Sequence, residues 1–312
     1  MRLAIDFLQL FALVATAPLL RGVVAKIKAR IQNRRGASVF RPYSDLRKLF
    51  GKEDLVPPTA SPLFRICPVV LFAATVAAAA FIPALHASAL LGNTGDFILL
   101  VYLLALARFF LVLGAMDGGS SFGGMGASRE ALVSALAEAP LLLGLVAVAI
   151  VAHSTSVAAI VRWTIGRHLF QLSPVHALAF IALALVAIAE TGRVPVDNPT
   201  THLELTMIHE AMVLEYSGPS LALIEWASAI KLNLMLALLV ALFAPWGIAA
   251  DASFAALSIA VAVYALKMAL LAIALAVLES SVAKLRMYLV PEYLGMATAA
   301  SILAVVFTAF KR

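Results

Sequence analysis

Eight apolar stretches, each close to the ~20 residues a helix needs to cross a bilayer, dominate this chain: 3–25, 63–84, 96–116, 128–152, 174–190, 221–244, 255–279 and 288–310. A soluble core built from 312 residues could not bury so much apolar side chain, so lipid has to solvate most of it. Only 13% of the residues are charged, against roughly 25% in soluble domains. The sequence therefore predicts an all-α fold, a polytopic membrane helical bundle of about eight transmembrane helices. It reads as a single transmembrane domain over 1–312, with cytoplasmic loops at 26–62, 117–127, 191–220 and 280–287.

A formal charge of +6 could suggest nucleic acid, but its distribution excludes that class. Nine Lys/Arg (Lys26, Lys28, Arg30, Arg34, Arg35, Arg41, Arg47, Lys48 and Lys52) gather in the loop after the first span. The opposite loops hold few, chiefly Arg162 and Arg167. The positive-inside rule places loop 26–62 in the cytoplasm, and an even helix count leaves both termini periplasmic, in a cytoplasmic (inner) membrane. Ala15-Thr16-Ala17 mimics a signal-peptide cleavage site, yet the apolar run continues through Pro18, Leu19 and Leu20 into basic residues. We read a retained first helix. Cys67 is the only cysteine, which excludes an internal disulfide, and no Cys/His cluster has metal-ligand spacing. No metal, iron–sulfur cluster or haem is expected on this chain alone. The absence of a visible internal repeat counts against the repeat-built transporters.

Within loop 26–62, Tyr43, Leu46, Leu49 and Phe50 recur at helical spacing among Asp45, Arg47 and Lys48. This predicts a short amphipathic helix at the membrane surface, ended by Gly51, with Pro57-Pro58 stiffening the return. It serves either as a solvated basic loop near anionic lipid or as a docking platform for a cytoplasmic partner.

Ionisable residues stand in or at the edges of the spans: Arg108, Glu130, Glu138, Glu190, Glu225, Lys231, Lys267 and Glu279. At roughly 2.5–3.5 kcal/mol each near mid-bilayer, their summed cost is on the order of 10 kcal/mol or more. They persist if they pair, reach water or perform a function. Glu130, Ser134 and Glu138 form one polar stripe at i, i+4 and i+8. Glu225 and Lys231 lie about 120° apart around one helix, so their partners should lie on other helices or other subunits. Two readings stand: buried ion pairs that fix helix packing, or a proton or ion path through carboxylates whose pKa burial can raise.

The stretch 189–218 reads AETGRVPVDNPTTHLELTMIHEAMVLEYSG. Pro195 and Pro199 should hold its start extended. Thr201 and Glu204 form a capping box that predicts a helix of about 12 residues, and Gly218-Pro219 should break the chain before the next span. Glu204, Glu210 and Glu215 add carboxylates near the membrane face above Glu190. His202 and His209 lie seven apart, without a third metal ligand at suitable spacing. The stretch is either an ordinary acidic helix or an acidic funnel at the mouth of a proton path.

Three segments carry a family resemblance. The run ARIQNRRGASVFRPYSDLRKLFGKEDLVP (29–57) resembles the first cytoplasmic loop of membrane subunit 1 of respiratory complex I, through Arg35-Gly36, Asp45, Lys48-Leu49-Phe50 and Lys52-Glu53-Asp54. The run AETGRVPVDNP…LEYSG resembles that family's AETNRxPFDLPE…TEYSG loop. GASREALVSALAEAP resembles the start of its fourth span, with Arg129 leading to Glu138. Where complex I members read PFDLPEAESELV, this chain runs from Pro195 through Asp197, Asn198 and His202 to Leu205. In this it resembles the hydrogenase branch, the membrane subunits of formate hydrogenlyase and hydrogenase-4 type complexes.

The resemblance implies a non-catalytic membrane subunit of an oxidoreductase complex, with no redox cofactor of its own. It implies partners: a small iron–sulfur subunit carrying 4Fe-4S clusters, a large subunit with a NiFe centre, and antiporter-like membrane subunits, all held at the lipid bilayer. Glu138, Glu190, Glu204 and Glu215 would belong to an acidic path, which the stripe and the intramembrane charges extend to Glu130, Glu210, Glu225, Lys231, Lys267, Glu279 and Arg108. Arg34, Arg35, Asp45, Lys48, Lys52, Glu53, Asp54 and Arg129 would shape the docking face. Two rival functions remain: a quinone-site subunit of an NADH:quinone oxidoreductase, and a stand-alone ion transporter, which would transport as a purified single chain.

Overall fold

The computed structural model describes residues 2–92, 95–165, 173–198, 207–251 and 253–310. Among these, helices follow one another as α1 (Arg2–Ile31), α2 (Arg41–Phe50), α3 (Pro62–Ala79), α4 (Phe97–Asp117), α5 (Ser121–Ala152), α6 (Val157–Ile165), α7 (Pro174–Glu190), α8 (His209–Val213), α9 (Gly218–Phe243), α10 (Phe254–Ser281) and α11 (Val290–Phe310). Seven are long and apolar enough to cross a membrane, and α7 is a shorter apolar helix beside them. The chain is thus an all-α, multi-pass membrane protein of about eight spans.

Their order follows from their sequence. Helix α9 is the central stave, with 78% of its apolar stretch buried, and it touches α1, α3, α7 and α10. Helices α3, α4, α5, α7 and α11 close the bundle on one side. Helix α10 packs on α1 and leaves most of its surface outside, with 28% of its apolar stretch buried. Phe7 and Phe11 of α1, and Leu266 and Leu270 of α10, are exposed apolar side chains, as a lipid-facing surface requires.

Helix ends are set by local chemistry. Ser61 caps α3 by accepting from the Leu63 amide at 3.2 Å, and Asp117 at the end of α4 accepts from the Ser61 and Phe64 amides. Ser120 caps α5 through the Gly123 amide at 3.1 Å. Pro62, Pro174 and Pro219 sit in first turns, where their missing N–H costs nothing.

Several expectations need correction. Helix α5 begins at Ser121, so most of the glycine-rich stretch 117–127 is helical. Each glycine there gives up roughly 1 kcal/mol of helix propensity, and at two of them close approach offsets it. A Cβ on Gly123 would lie 2.5 Å from the Ala115 carbonyl oxygen, and one on Gly126 would lie 2.9 Å from that of Ile208. Helix α3 stops at Ala79, short of 84, and 80–92 turns back on itself. Gly218-Pro219 opens α9 rather than standing before it. Residues 194–196 form a turn, not an extended strand, because the Arg193 carbonyl accepts from the Val196 and Asp197 amides. The acidic stretch holds only the five-residue α8 among its described residues, and Thr201, His202 and Glu204 lie outside them. Helix α6 was not expected at all, because its nine residues are too short to read as a span.

Helix α2 forms where its apolar spacing put it, and Gly51 ends it. It is nevertheless docked, not free. The Tyr43 hydroxyl donates to the Ala15 carbonyl at 2.5 Å, and Phe50 meets Trp226 of α9 edge-on. The turn before it also rests on α1. Lys26 Nζ donates to the Arg35 carbonyl at 2.7 Å, and a Cβ on Gly22 would come within 2.0 Å of the Val39 carbonyl oxygen.

The loops 26–62, 117–120 and 282–289 and the described stems 191–198 and 207–217 meet at one end of the bundle. Leu55 binds Ser217, Thr59 binds Gly118, and Lys284 pairs with Asp197. At the opposite end, 85–89 is tied from several sides. Gln9 donates to the Ser88 carbonyl at 2.7 Å, Ala87 and Leu85 exchange backbone bonds with Ala249, and Arg162 donates to the Ala87 carbonyl. Ser88 donates to Asp6 and meets His86 Nδ1 at 2.8 Å.

Candidate functional site

Three charges placed by three helices meet just inside the loop-bearing end. Glu190 is the last residue of α7, Arg108 comes from α4 and Lys231 from α9. One carboxylate oxygen of Glu190 pairs with Arg108 Nη1, and the other with Lys231 Nζ at 2.9 Å. Glu190 is 5% exposed and Arg108 6%. Buried charge survives when it is paired, and here one anion serves two cations.

Beside this cluster lies a cavity of about 60 Å³, lined also by Thr75, Glu130, Asp197, His209 and Ser228. Among the described residues, Arg108 Nε and His209 Nε2 are buried without a hydrogen-bond partner. The cavity walls are mostly apolar, with these charged and polar groups set into them, and its size leaves room for several waters at about 10–15 Å³ each on this measure. The site therefore combines fixed charge, titratable groups and space for a water chain.

Asp197, 1% exposed, closes the acidic loop. Its Oδ1 accepts from the Asn198 amide and from Lys284 Nζ, both at 2.8 Å. Its Oδ2 accepts from the Ile208 and His209 amides at 3.1 and 3.2 Å. One carboxylate thus holds both stems of the loop together. Arg129 donates to the Met207 carbonyl at 3.1 Å.

A second cleft, about 480 Å³, opens between α1, α2, α8 and α9. Arg21 and Glu225 pair across it, with Asp45, Leu49, Glu210 and Leu221 around them. Burial pushes the Glu210 carboxyl above the ordinary carboxylate range. His209 and Arg21 oppose that shift, while Glu225 and Asp197 add to it. The folded chain then holds a proton on Glu210 where the unfolded chain has released it. This contribution to stability is full below the unfolded pKa and is lost as pH rises through the raised one. In a Glu210→Gln variant, Tm followed in detergent from acid to neutral pH should fall less with rising pH than it does in the parent.

The residues named from sequence thus separate into groups. Arg108, Glu130, Glu190 and Lys231 share the cavity. Glu138, two turns from Glu130 and so about 12 Å along α5, is half-buried on the same stripe, and the Ser134 hydroxyl between them is buried without a partner among the described residues. Glu210 and Glu225 line the second cleft. Glu215 is exposed beside Gly118, and Glu204 lies outside the described residues. Glu279 stands apart from the cavity, paired with Lys28 at 2.7 Å and Arg193 at 3.2 Å. Lys267 is at the other end. It donates to the Ala244 carbonyl at 2.6 Å and to that of Trp246, with Nζ 4.1 Å from the Trp246 ring centroid. Lys231 lies 13 residues before Ala244, about 20 Å along α9, so Lys267 is not its neighbour.

Of the docking residues, Arg34, Arg35, Lys48, Lys52 and Glu53 are exposed. Asp45 is half-buried and pairs with Arg41, Asp54 accepts from the Ser220 hydroxyl at 2.7 Å, and Arg129 is held by Met207. Sequence reasoning passed over Arg21, Lys28, Arg193, Asp197 and Lys284 as site residues. Arg193 and Asp197 stood inside a quoted motif and Lys28 read only as orienting charge in the basic loop, whereas Arg21 lay unremarked within the first apolar span.

The family model described as NADH dehydrogenase matches residues 4–309. The chain is 34% identical to formate hydrogenlyase subunit 4 of Escherichia coli (strain K12) over 285 residues, which is 91% of this chain and 92% of that one. It is 35% identical to hydrogenase-4 component C of the same organism over 294 residues, 94% of this chain and 92% of that one. With NADH-quinone oxidoreductase subunit 8 of Rhodothermus marinus it shares 27% identity over 241 residues, 73% of this chain and 69% of that one. The fold matches a chain in the structure of the membrane-bound sulfane sulfur reductase, an archaeal respiratory membrane complex. Its TM-score is 0.83 at 23% identity, covering 98% of this chain and 99% of that one. The charge cluster, the loop motifs that meet above it and these matches place the chain in the NADH dehydrogenase family of membrane subunits, within its hydrogenase branch.

Proposed function

We propose that this chain is the membrane-anchoring, proton-path subunit of a complex I-like energy-converting nickel–iron hydrogenase of the formate hydrogenlyase kind. The observation that carries this reading is the cavity of about 60 Å³ lined by Arg108, Glu190, Lys231 and Glu130 beneath the loop end. A soluble arm, made of a small iron–sulfur subunit and a large nickel–iron subunit, would dock on the exposed Arg34, Arg35, Lys48 and Lys52. Charge changing in that arm would shift the balance at His209, Glu210 and Glu190. The proton would then pass along the Glu130–Ser134–Glu138 stripe toward a neighbouring antiporter-like subunit. The basic loop would face the cytoplasm of the inner membrane, with both termini periplasmic.

Purification from the native membrane in mild detergent tests the assignment. Recovery with a nickel–iron subunit and a small iron–sulfur subunit, identified by mass spectrometry, is expected; recovery of the chain alone would end it. In the intact complex, Glu138→Gln should keep assembly and lower the protons moved per electron. General acid–base groups contribute about 10²–10⁴-fold to the steps they serve, so the loss should be near complete. Undiminished translocation would remove Glu138 from the path.

The second cleft favours one further reading. Its ~480 Å³ lies within the ~300–1,000 Å³ range of small-ligand sites. Apolar Leu46, Leu49 and Leu221 face polar Arg21 and Glu225 there, as a quinone would need. Sensitivity of the complex to quinone-site inhibitors would support that reading; indifference to them keeps the hydrogenase assignment.

A further inference from the structure

Glu279 was expected in the proton path, yet it lies away from the cavity and its carboxylate is divided between two cations on different elements. Oε2 meets Lys28 Nζ near the end of α1 at 2.7 Å, and Oε1 meets Arg193 Nη1 in the turn after α7 at 3.2 Å. Its side chain is 1% exposed, so both contacts are shielded from solvent. Each cation leads to a different part of the molecule.

On the α1 side, Lys26 and Lys28 are two residues apart and so about 200° apart around the helix. They point to opposite faces. Lys26 grips the basic loop through the Arg35 carbonyl at 2.7 Å and the Gly36 carbonyl at 3.3 Å. Lys28 reaches Glu279. The end of α1 is therefore a short lever, with the exposed basic loop on one side and α10 on the other. On the other branch, Arg193 stands three residues after Glu190, and its carbonyl accepts from the Val196 and Asp197 amides. The end of α10 and the chain beyond it grip this turn twice more. Leu285 donates to the Pro195 carbonyl at 2.8 Å, and Lys284 Nζ meets Asp197 at 2.8 Å.

We propose that Glu279 is a positioning residue that joins the basic loop to the turn carrying Glu190, so that a load placed on the loop reaches the buried Arg108–Glu190–Lys231 cluster. The link runs Arg35 and Gly36, Lys26, Lys28, Glu279, Arg193, Glu190, and every non-covalent step in it is a contact of 3.3 Å or less. Naming the load as a docked partner rests on the proposed function; the mechanical link does not.

A double-mutant cycle read by hydrogen–deuterium exchange tests it, on protein purified from its native membrane with the partners it retains. Lys28 does not touch the 189–197 turn. Lys28→Met should nevertheless speed amide exchange there, by roughly two- to thirtyfold, the range that mutations along coupling networks produce. Glu279→Gln should do the same, and adding Lys28→Met to Glu279→Gln should change nothing further. Unchanged exchange at 189–197 in Lys28→Met, or additive effects in the double variant, would overturn the proposal. Should Glu279→Gln fail to fold, Arg193→Gln takes its place in the cycle with the same expected non-additivity. The docking reading is scored separately, by whether 33–40 is protected when the soluble partners are bound. A failure there leaves the cycle standing, and a failed cycle leaves docking untouched.

Discussion

Glu190→Gln should be among the most damaging single changes this chain can carry, while Lys231→Met, at one of the two cations paired with that carboxylate, should be tolerated. The cluster has one anion and two cations. Removing the anion strands Arg108 and Lys231 together in a site where Glu190 is 5% exposed. Breaking a buried pair from one side costs about 3–5 kcal/mol, and here two cations lose their partner at once. Removing Lys231 leaves Arg108 and Glu190 as a matched pair, and methionine fills the lost stem. Replacing buried charge by a well-packed apolar side chain is often neutral or better, so the change should stay within about 1 kcal/mol. Thermal unfolding in detergent should order the three proteins as parent near Lys231→Met, both well above Glu190→Gln. If the two variants melt together, the cluster is not the isolated triad described. In the assembled complex stability and function should part: Lys231→Met should fold and assemble, yet lose proton coupling.

Gly218→Val should be nearly as severe for a different reason. Gly218 has φ +50°, in the left-handed region, where a side chain costs roughly 1–2 kcal/mol. An added Cβ would also fall 2.5 Å from the Glu53 carbonyl oxygen and 3.0 Å from the Asp54 amide nitrogen. Neither is the loose end of a flexible side chain. Overpacking against fixed neighbours adds about 1–3 kcal/mol. The KED segment must then leave the start of α9, breaking the Asp54–Ser220 and Leu55–Ser217 bonds. Limited proteolysis should show faster cleavage after Lys52 in the variant. Unchanged cleavage would mean that the two motifs do not depend on each other.

The contact between Glu53 and Gly218 also marks what could be read in advance. Both residues belong to motifs visible in the sequence, but nothing in either motif says that they touch. Span positions were legible because lipid imposes a length and an apolar composition on every crossing helix. The surface helix α2 was legible because its spacing is periodic. The departures have physical causes. Glycines at 123 and 126 read as loop, because propensity is local whereas the close approach of Ala115 and Ile208 is tertiary. The pairing of Glu225 and Lys231 with other helices followed from their angular separation, yet the identity of the partners, Arg21 and Glu190, did not. Lys267 and Glu279 looked like members of one series, because both are charges on one apolar helix; only the packing separates them.

The stitching of 85–89 to α1, to α6 and to the chain between α9 and α10 has a mechanical meaning. Lys267 adds to it by binding the carbonyls at the end of α9. Helix α9 is thereby held at both tips, here by this seam and at the far end by the Asp54–Ser220 and Leu55–Ser217 bonds. A beam clamped at both ends bends far less than one held at a single end, so Lys231, midway along it, rides on a stave that keeps its place.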